Sequence, residues 1–211
     1  MKGLKFFPKG MNKRWWLFRP IDMLTAIFRS RKAKRGLLVV RMDGLGDMIL
    51  FRSALDHYAE AFNVDQKEIT ILGCHSWKSL AKTIFAGFNV VTIDEHHYEK
   101  KFWYRLKISL WVAKKNFQTA TCDIFFRKTM ACDSLLYYSY AERIVVCAPF
   151  ISQKTKPRFD YYWPMYTDVI DTGNHPLHET IRHFNFLSTL TGREITPQPP
   201  YIPWRKDRDL I

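Results

Sequence analysis

Strand-like and helix-like segments alternate along the chain after Gly36, and this alternation constrains the fold more than any other feature. Five short apolar segments have the composition of buried strands, at 37–41, 68–73, 89–93, 121–126 and 144–147. The helical spacing of apolar residues predicts helices between them, at 48–62, 76–85, 100–115 and 133–140. Strands joined through helices form βαβ crossovers, which give a parallel sheet covered on both faces. The sequence therefore predicts an α/β fold, a Rossmann-like doubly wound parallel sheet of about five strands.

Composition divides the chain into four segments. Residues 1–36 form a basic and aromatic arm, and residues 37–150 form the Rossmann-like domain. Residues 151–197 complete that domain with a Pro- and Tyr-rich loop and a helix at about 178–191, which Gly192 ends. Residues 198–211 are rich in proline and are expected to be an extended linker.

The positive charge belongs to the arm and not to the predicted domain. Residues 1–36 hold eleven Lys or Arg residues and one acid, Asp22, so they carry +10 of the net charge of +13. The predicted domain is therefore close to neutral, and the chain shows no motif that reads nucleic acid. We expect no nucleic-acid partner.

Cysteine and histidine spacing argues against a metal site. The four cysteines are widely spread without a CxxC pair, which favours reduced thiols and a cytosolic protein. The motif HETIRH places its second histidine, His183, five residues after His178, where a zinc-binding HExxH motif needs four. No segment has the ~18–20 apolar residues of a membrane-spanning helix, and we identify no signal peptide.

The loop after the first predicted strand carries two glycines and two carboxylates, Asp43, Gly44, Gly46 and Asp47. It lacks the third glycine of a dinucleotide-binding loop and the Lys of a P-loop. One interpretation is structural: the glycines allow a tight turn and Asp47 caps the following helix. The other is functional, because ligands bind at the carboxyl ends of the strands in open α/β sheets.

Three stretches resemble the heptosyltransferases, the family 9 glycosyltransferases. LLVVRMDGLGDMILFRSAL is similar to that family's first strand, Gly-Asp loop and helix, and HPLHETIRHFNFLSTLTG is similar to its His-Glu helix. FQTATCDIFFRKTMACDSLL, followed by AERIVVC, resembles its fourth strand, helix and fifth strand more loosely. The resemblance covers about residues 37–192, and position 183 is His where the family usually has Asn.

The resemblance implies an inverting, GT-B-type enzyme of which this chain is the acceptor-binding half. Asp47 corresponds to the family's catalytic base, and the rest of the loop, Asp43, Gly44 and Gly46, would contact the acceptor. The acceptor would be lipopolysaccharide core or a related lipid-linked glycan. The donor, a nucleotide-sugar such as ADP-heptose, would bind a second domain that is expected after the linker, and no cofactor or metal is implied. The alternative is a non-catalytic, membrane-associated module that binds a glycan or nucleotide.

Two further pairs of residues are candidates for the same site. Arg127 and Lys128 follow the fourth predicted strand and could hold a phosphate or carboxylate of an acidic acceptor. Pairing of Arg127 with Asp123 or Asp133 is the structural alternative. His178 and Glu179 begin the last predicted helix, where we expect capping or interdomain contacts.

The arm has the features of a segment that lies on a membrane surface. It combines amphipathic rings with basic residues, and we single out as membrane contacts Trp15, Trp16, Phe18, Arg31 and Lys32. Attachment would be peripheral, on the cytoplasmic side of an anionic inner membrane. The alternative is that the arm packs on the domain as an extra helix. A similar choice applies to residues 100–115, where aromatic and basic residues alternate.

Overall fold

The computed structural model describes residues 13–30 and 32–201, and it describes side chains from residue 16 onward. Its centre is a six-stranded, fully parallel sheet with the strand order β3-β2-β1-β4-β5-β6. The strands are β1 Leu37–Arg41, β2 Ile69–Cys74, β3 Asn89–Ile93, β4 Thr119–Cys122, β5 Arg143–Cys147 and β6 Asp168–Ile170.

Nine helices of the described ranges surround the sheet. They are α1 Lys13–Phe28, α2 Leu45–Leu55, α3 Tyr58–Ala61, α4 Lys78–Ile84, α5 Glu95–Lys100, α6 Phe102–Lys115, α7 Cys132–Ser139, α8 Lys156–Tyr162 and α9 Glu179–Thr191. Helix α9 packs against α2 and α3, whereas α6 packs against α7 and α1. Because right-handed crossovers place the helices that link β1, β2 and β3 on one face, α2, α4 and α9 share that face and α6 and α7 cover the other.

The fold class predicted from the sequence is confirmed. Strand β1 is buried over its whole length, as its apolar composition predicts, and it pairs with β2 on one side and β4 on the other. The chain therefore winds outward in one direction from β1 to β3 and in the other direction from β4 to β6. The strand order reverses between β1 and β4, which is where open α/β sheets have their ligand crevice.

The prediction of a Pro- and Tyr-rich loop between residue 151 and the last helix is wrong. This region contains helix α8 and a sixth strand, β6, which pairs with β5. The strand is three residues long, too short to show a period, and only pairing with β5 defines it. Strand β4 also begins and ends earlier than predicted, so Asp123 and the residues after it lie beyond the sheet edge.

Helix α1 packs on α6, which agrees with the structural alternative for the arm. Phe18 is 3% exposed and Ile21 is fully buried, and the Arg105 guanidinium lies 4.6 Å from the centre of the Phe18 ring. The prediction that Phe18 contacts a membrane is therefore corrected, because its ring already fills the space between helices. Trp16 packs against a cluster formed by Tyr161 and Tyr162.

The remaining predicted membrane contacts are Trp15, Arg31 and Lys32, and the structure describes the side chain of Lys32 alone among these three. Lys32 is exposed, while Arg31 and the side chain of Trp15 lie outside the described residues. Among the helices that the structure describes, none combines the length and the apolar character required to cross a bilayer.

Candidate functional site

A cavity of about 430 Å³ opens at the carboxyl edge of the sheet, at the point where the strand order reverses. It is formed by the segments that follow β1, β2, β3 and β4, together with the first residue of α9. Its lining residues are Arg41, Met42, Asp43, Gly44, Asp47, Cys74, Ser76, Glu95, His96, Ile124, Phe126, Arg127, Lys128 and Glu179.

Asp47 lies in the first turn of α2 and points to this cavity without a bonding partner. Helix α2 begins at Leu45 with Gly44 as its N-cap, and no side chain caps it. Within the described part of the chain, the Asp47 carboxylate makes no hydrogen bond or ion pair. The structure therefore does not support the interpretation that Asp47 is a helix cap. Its negative charge is still favourable beside the helix N-terminus.

Gly44 lines the cavity and leaves space next to Asp47, whereas Gly46 is not among the lining residues. A side chain at Gly44 would meet only the Asp47 Oδ2 atom, at 3.8 Å from its Cβ position, and one at Gly46 would meet nothing within 4 Å. Gly44 has a φ of −74°, so neither its backbone nor close packing demands a glycine. The absence of a side chain at Gly44 keeps this side of the Asp47 carboxylate open.

Asp43 belongs to a buried network that crosses the sheet edge from β1 to β4. The Arg41 guanidinium pairs with Asp43 on one side and with Asp123 on the other. The second carboxylate oxygen of Asp123 lies 2.7 Å from Nδ1 of His183 in α9. Arg41 is also 4.2 Å from the centre of the Phe51 ring. Arg41, Asp123 and His183 are almost fully buried, so this network joins β1, β4 and α9.

The network gives its two carboxyl groups opposite pKa shifts. Burial works to raise the pKa of Asp123, but the Arg41 guanidinium and the His183 imidazole hold that pKa well below its usual range. Burial raises the pKa of Asp43 to about 6, against the lowering effect of Arg41 and with further increases from the carboxylates of Asp123 and Asp47. Asp43 therefore shares the Arg41 guanidinium with Asp123, and it lies close to the negative charges of Asp123 and Asp47.

We expect a carboxyl ¹³C NMR titration to show Asp43 ionising with a midpoint of about 6. Asp168 is the control, because its hydrogen bond from Thr167 and its pairing with Arg143 lower its pKa. Since the pKa of Asp43 is higher in the folded chain than the ~3.9 of an unfolded one, its contribution to stability falls as pH rises from about 4 to about 6. A midpoint near 4 for Asp43 would contradict this account.

Arg127 and Lys128 have different environments although both line the cavity. The Arg127 guanidinium is buried, pairs with Asp133 at 2.8 Å and donates to the backbone oxygen of Cys147 at 2.8 Å. The structure thus favours the pairing alternative for Arg127 over the prediction that it holds an acceptor anion. Lys128 is exposed and makes no ion pair or side-chain hydrogen bond with the described residues. Lys128 is therefore the cation available at this edge of the site.

The first residues of α9 complete one wall of the cavity. His178 is the N-cap of α9, and its Nδ1 atom accepts a hydrogen bond from the Thr180 N–H at 3.3 Å. This is the capping contact that the sequence suggests for His178. Glu179 reaches the cavity, and one of its carboxylate oxygens lies 3.5 Å from Nε of Arg182.

The cavity also contains residues that the motifs do not single out, although the sequence carries a signal for them. Cys74 ends β2 and Ser76 follows it closely, while Glu95 and His96 come just after β3. Because the carboxyl ends of parallel strands meet at one edge of a sheet, their position after a predicted strand was the available signal. Among the residues that the structure describes, no group of three or more His, Cys, Asp or Glu side chains could hold a metal ion.

The fold and the position of this cavity define a Rossmann-like domain whose binding site lies where the strand order reverses. No protein-family model matches the sequence, and no curated protein matches it. The fold is similar to a solved structure described as the glycosyl transferase family 9 from Veillonella parvula DSM 2008, with a TM-score of 0.60 and 12% sequence identity. The similarity covers 82% of this chain and 46% of the Veillonella chain, so the protein corresponds to about half the length of that structure.

Proposed function

We propose that this chain is the acceptor-binding half of an inverting glycosyltransferase, with Asp47 as the general base. The observation that carries the proposal is an unpaired carboxylate, that of Asp47, facing an open cavity at the reversal point of the sheet. The fold shared with a family 9 glycosyltransferase supports it, as do the sequence stretches that resemble heptosyltransferases.

The site offers a simple route for the reaction. An acceptor hydroxyl in the cavity would give its proton to Asp47 as its oxygen attacks the anomeric carbon of the sugar donor. The bond from that carbon to the nucleotide diphosphate would break, and the attack from the opposite side would invert the anomeric configuration. A second, donor-binding domain would hold the nucleotide-sugar, for which we propose ADP-heptose. The nucleotide-sugar is a substrate, and no cofactor has a role in these steps.

The cavity suits a hydroxyl-rich acceptor that also carries negative charge. The carboxylates of Asp43, Glu95 and Glu179 can accept hydrogen bonds from sugar hydroxyls. Lys128 offers a cation for a phosphate or carboxylate substituent. This combination supports lipopolysaccharide core, or a related lipid-linked surface glycan, as the acceptor class.

The 211-residue chain by itself is expected to bind acceptor glycan without transferring sugar to it, because the proposed donor site belongs to another domain. NMR spectra with deacylated lipopolysaccharide core should show shifts at residues that line the cavity. Lys128→Gln should weaken this binding about tenfold or more, since charge-assisted contacts contribute ~1.5–3 kcal/mol.

Lys82→Gln provides the control for acceptor binding, because Lys82 is an exposed helical lysine on α4, away from the cavity. Incubation with ADP-heptose and acceptor should give no product. Sugar transfer by this chain alone would contradict the proposal that the donor site lies in a second domain. Binding of a nucleotide in the cavity, with no glycan binding, would instead favour a non-catalytic nucleotide-binding module.

A further inference from the structure

Helix α1 is an added helix outside the α6 and α7 layer, and one of its sides is closed by that layer. Phe18, Ile21 and Thr25 face inward and are at most 3% exposed. The Thr25 hydroxyl lies 2.9 Å from the Tyr140 hydroxyl, and the Tyr138 hydroxyl donates to Asp22 at 2.8 Å. These contacts fix which side of α1 faces away from the protein.

The outward side of α1 is apolar. Leu17, Met23, Ile27 and Phe28 are 58%, 63%, 62% and 55% exposed. At 3.6 residues per turn, Met23 and Ile27 lie one above the other on the side opposite to Phe18 and Thr25. Of the α1 side chains that the structure describes, the charged ones are Arg19 and Asp22, which pair with each other at 2.6 Å. The exposed apolar surface of α1 is therefore continuous and uninterrupted by charge.

Basic residues gather at the end of this apolar surface. The backbone N–H of Ser30 donates to the Ala113 oxygen at 3.3 Å, and that of Arg35 donates to the Asn116 oxygen at 3.2 Å. These bonds bring the exposed basic residues after α1 beside those at the end of α6: Arg29, Lys32, Arg35, Lys114 and Lys115.

The same surface carries little negative charge. Helix α6, which packs against α1, contains no acidic residue. Glu142, an acid near the basic cluster, lies 3.8 Å from Lys34. The cluster therefore keeps a strong positive field beside exposed Ile27 and Phe28.

We propose that the outer side of α1, with the basic residues at the ends of α1 and α6, docks on the surface of an anionic phospholipid bilayer. Apolar side chains on one side of a helix insert at the boundary between headgroups and acyl chains, while Lys and Arg attract lipid phosphates. A second copy of the chain fits this surface poorly, because a net charge of +13 on each copy would repel.

Co-sedimentation with vesicles tests the apolar part of this surface. Binding should require phosphatidylserine, mixed equally with phosphatidylcholine, and should weaken as salt is added. Ile27→Glu should weaken binding about tenfold or more, because burying an isoleucine side chain contributes ~1.5–3 kcal/mol. Ile181→Glu is the matched control, since Ile181 is 40% exposed on α9, on the opposite face of the sheet, and should bind like the wild type.

The basic part is tested by charge removal. Lys114→Gln combined with Lys115→Gln should weaken vesicle binding about 25-fold at low salt, since each basic residue near the surface adds ~1 kcal/mol. Lys78→Gln combined with Lys82→Gln removes two exposed lysines from α4 and should have no effect. Circular dichroism should show all four variants folded.

Two results would overturn the proposal. One is wild-type vesicle binding by folded Ile27→Glu. The other is a dimer in light scattering that Ile27→Glu converts to a monomer without a change in vesicle binding, since this would make the surface a contact between two copies. The assay contains no sugar, so its outcome is independent of the glycosyltransferase proposal.

Discussion

Asp47→Asn is expected to lower sugar transfer by about 10²–10⁴, the usual contribution of a general base. The amide of Asn has nearly the same shape as the carboxylate but cannot take the proton of an acceptor hydroxyl. Since Asp47 makes no hydrogen bond or ion pair with the described residues, the substitution should change stability little. Acceptor binding should also be close to normal, so the loss would appear in turnover.

The measurement requires the complete enzyme system. The Asp47 codon is replaced in the source organism, and mass spectrometry follows the acceptor glycan for loss of one sugar. Asp65→Asn is the matched control, because Asp65 caps a short turn at 66–68 that precedes β2, away from the cavity, and Asn can replace it as a cap. Glycan of normal mass in the Asp47→Asn strain would refute the assignment of Asp47 as the base.

Asp123→Asn is expected to lower the free energy of unfolding by about 3–5 kcal/mol, the usual cost of removing one partner from a buried ion pair. Asp123 is fully buried between Arg41 and His183, so its loss leaves Arg41 with Asp43 as its remaining carboxylate partner. Asp168→Asn removes a carboxylate from an exposed pair with Arg143 and should cost at most about 1 kcal/mol.

The difference between wild type and Asp123→Asn should also depend on pH. The pKa of Asp123 in the folded chain is below its unfolded value, so this carboxylate stabilises the fold above about pH 4. That contribution is lost as pH falls towards the folded pKa. Urea unfolding at pH 7 and at pH 3.5 measures both effects. Equal stability of the two proteins at pH 7 would show that the network does not hold the strands together.

The two carboxylates of the loop after β1 thus have separate roles. Asp43 is held by Arg41 and is part of the buried network, and Asp47 is left facing the cavity. Through its ion pair with Asp123, Arg41 connects the start of the loop to the segment that follows β4. A loop anchored at Asp43 would keep Asp47 in a constant position relative to an acceptor, which a general base requires.

The positions of the candidate site follow from the sequence to a large extent. Alternating strands and helices predict a parallel sheet, and the Asp43–Asp47 loop and Lys128 both come just after strands. Parallel strands present their carboxyl ends at one edge, so these residues must lie near one another. The same reasoning would have placed Glu95 at the site, because Glu95 follows β3.

The sequence by itself determined the α/β class, the β1 to β5 order along the chain and the edge at which the loop carboxylates lie. Only the tertiary structure decided which charged residues are free: Asp47 is unpaired within the described residues, while Arg127 is held by Asp133. It also decided that Phe18 is buried although Ile27 is exposed. Pairing depends on distances between side chains from separate elements. Likewise, a helix with apolar residues on most of its sides does not reveal which side faces the core.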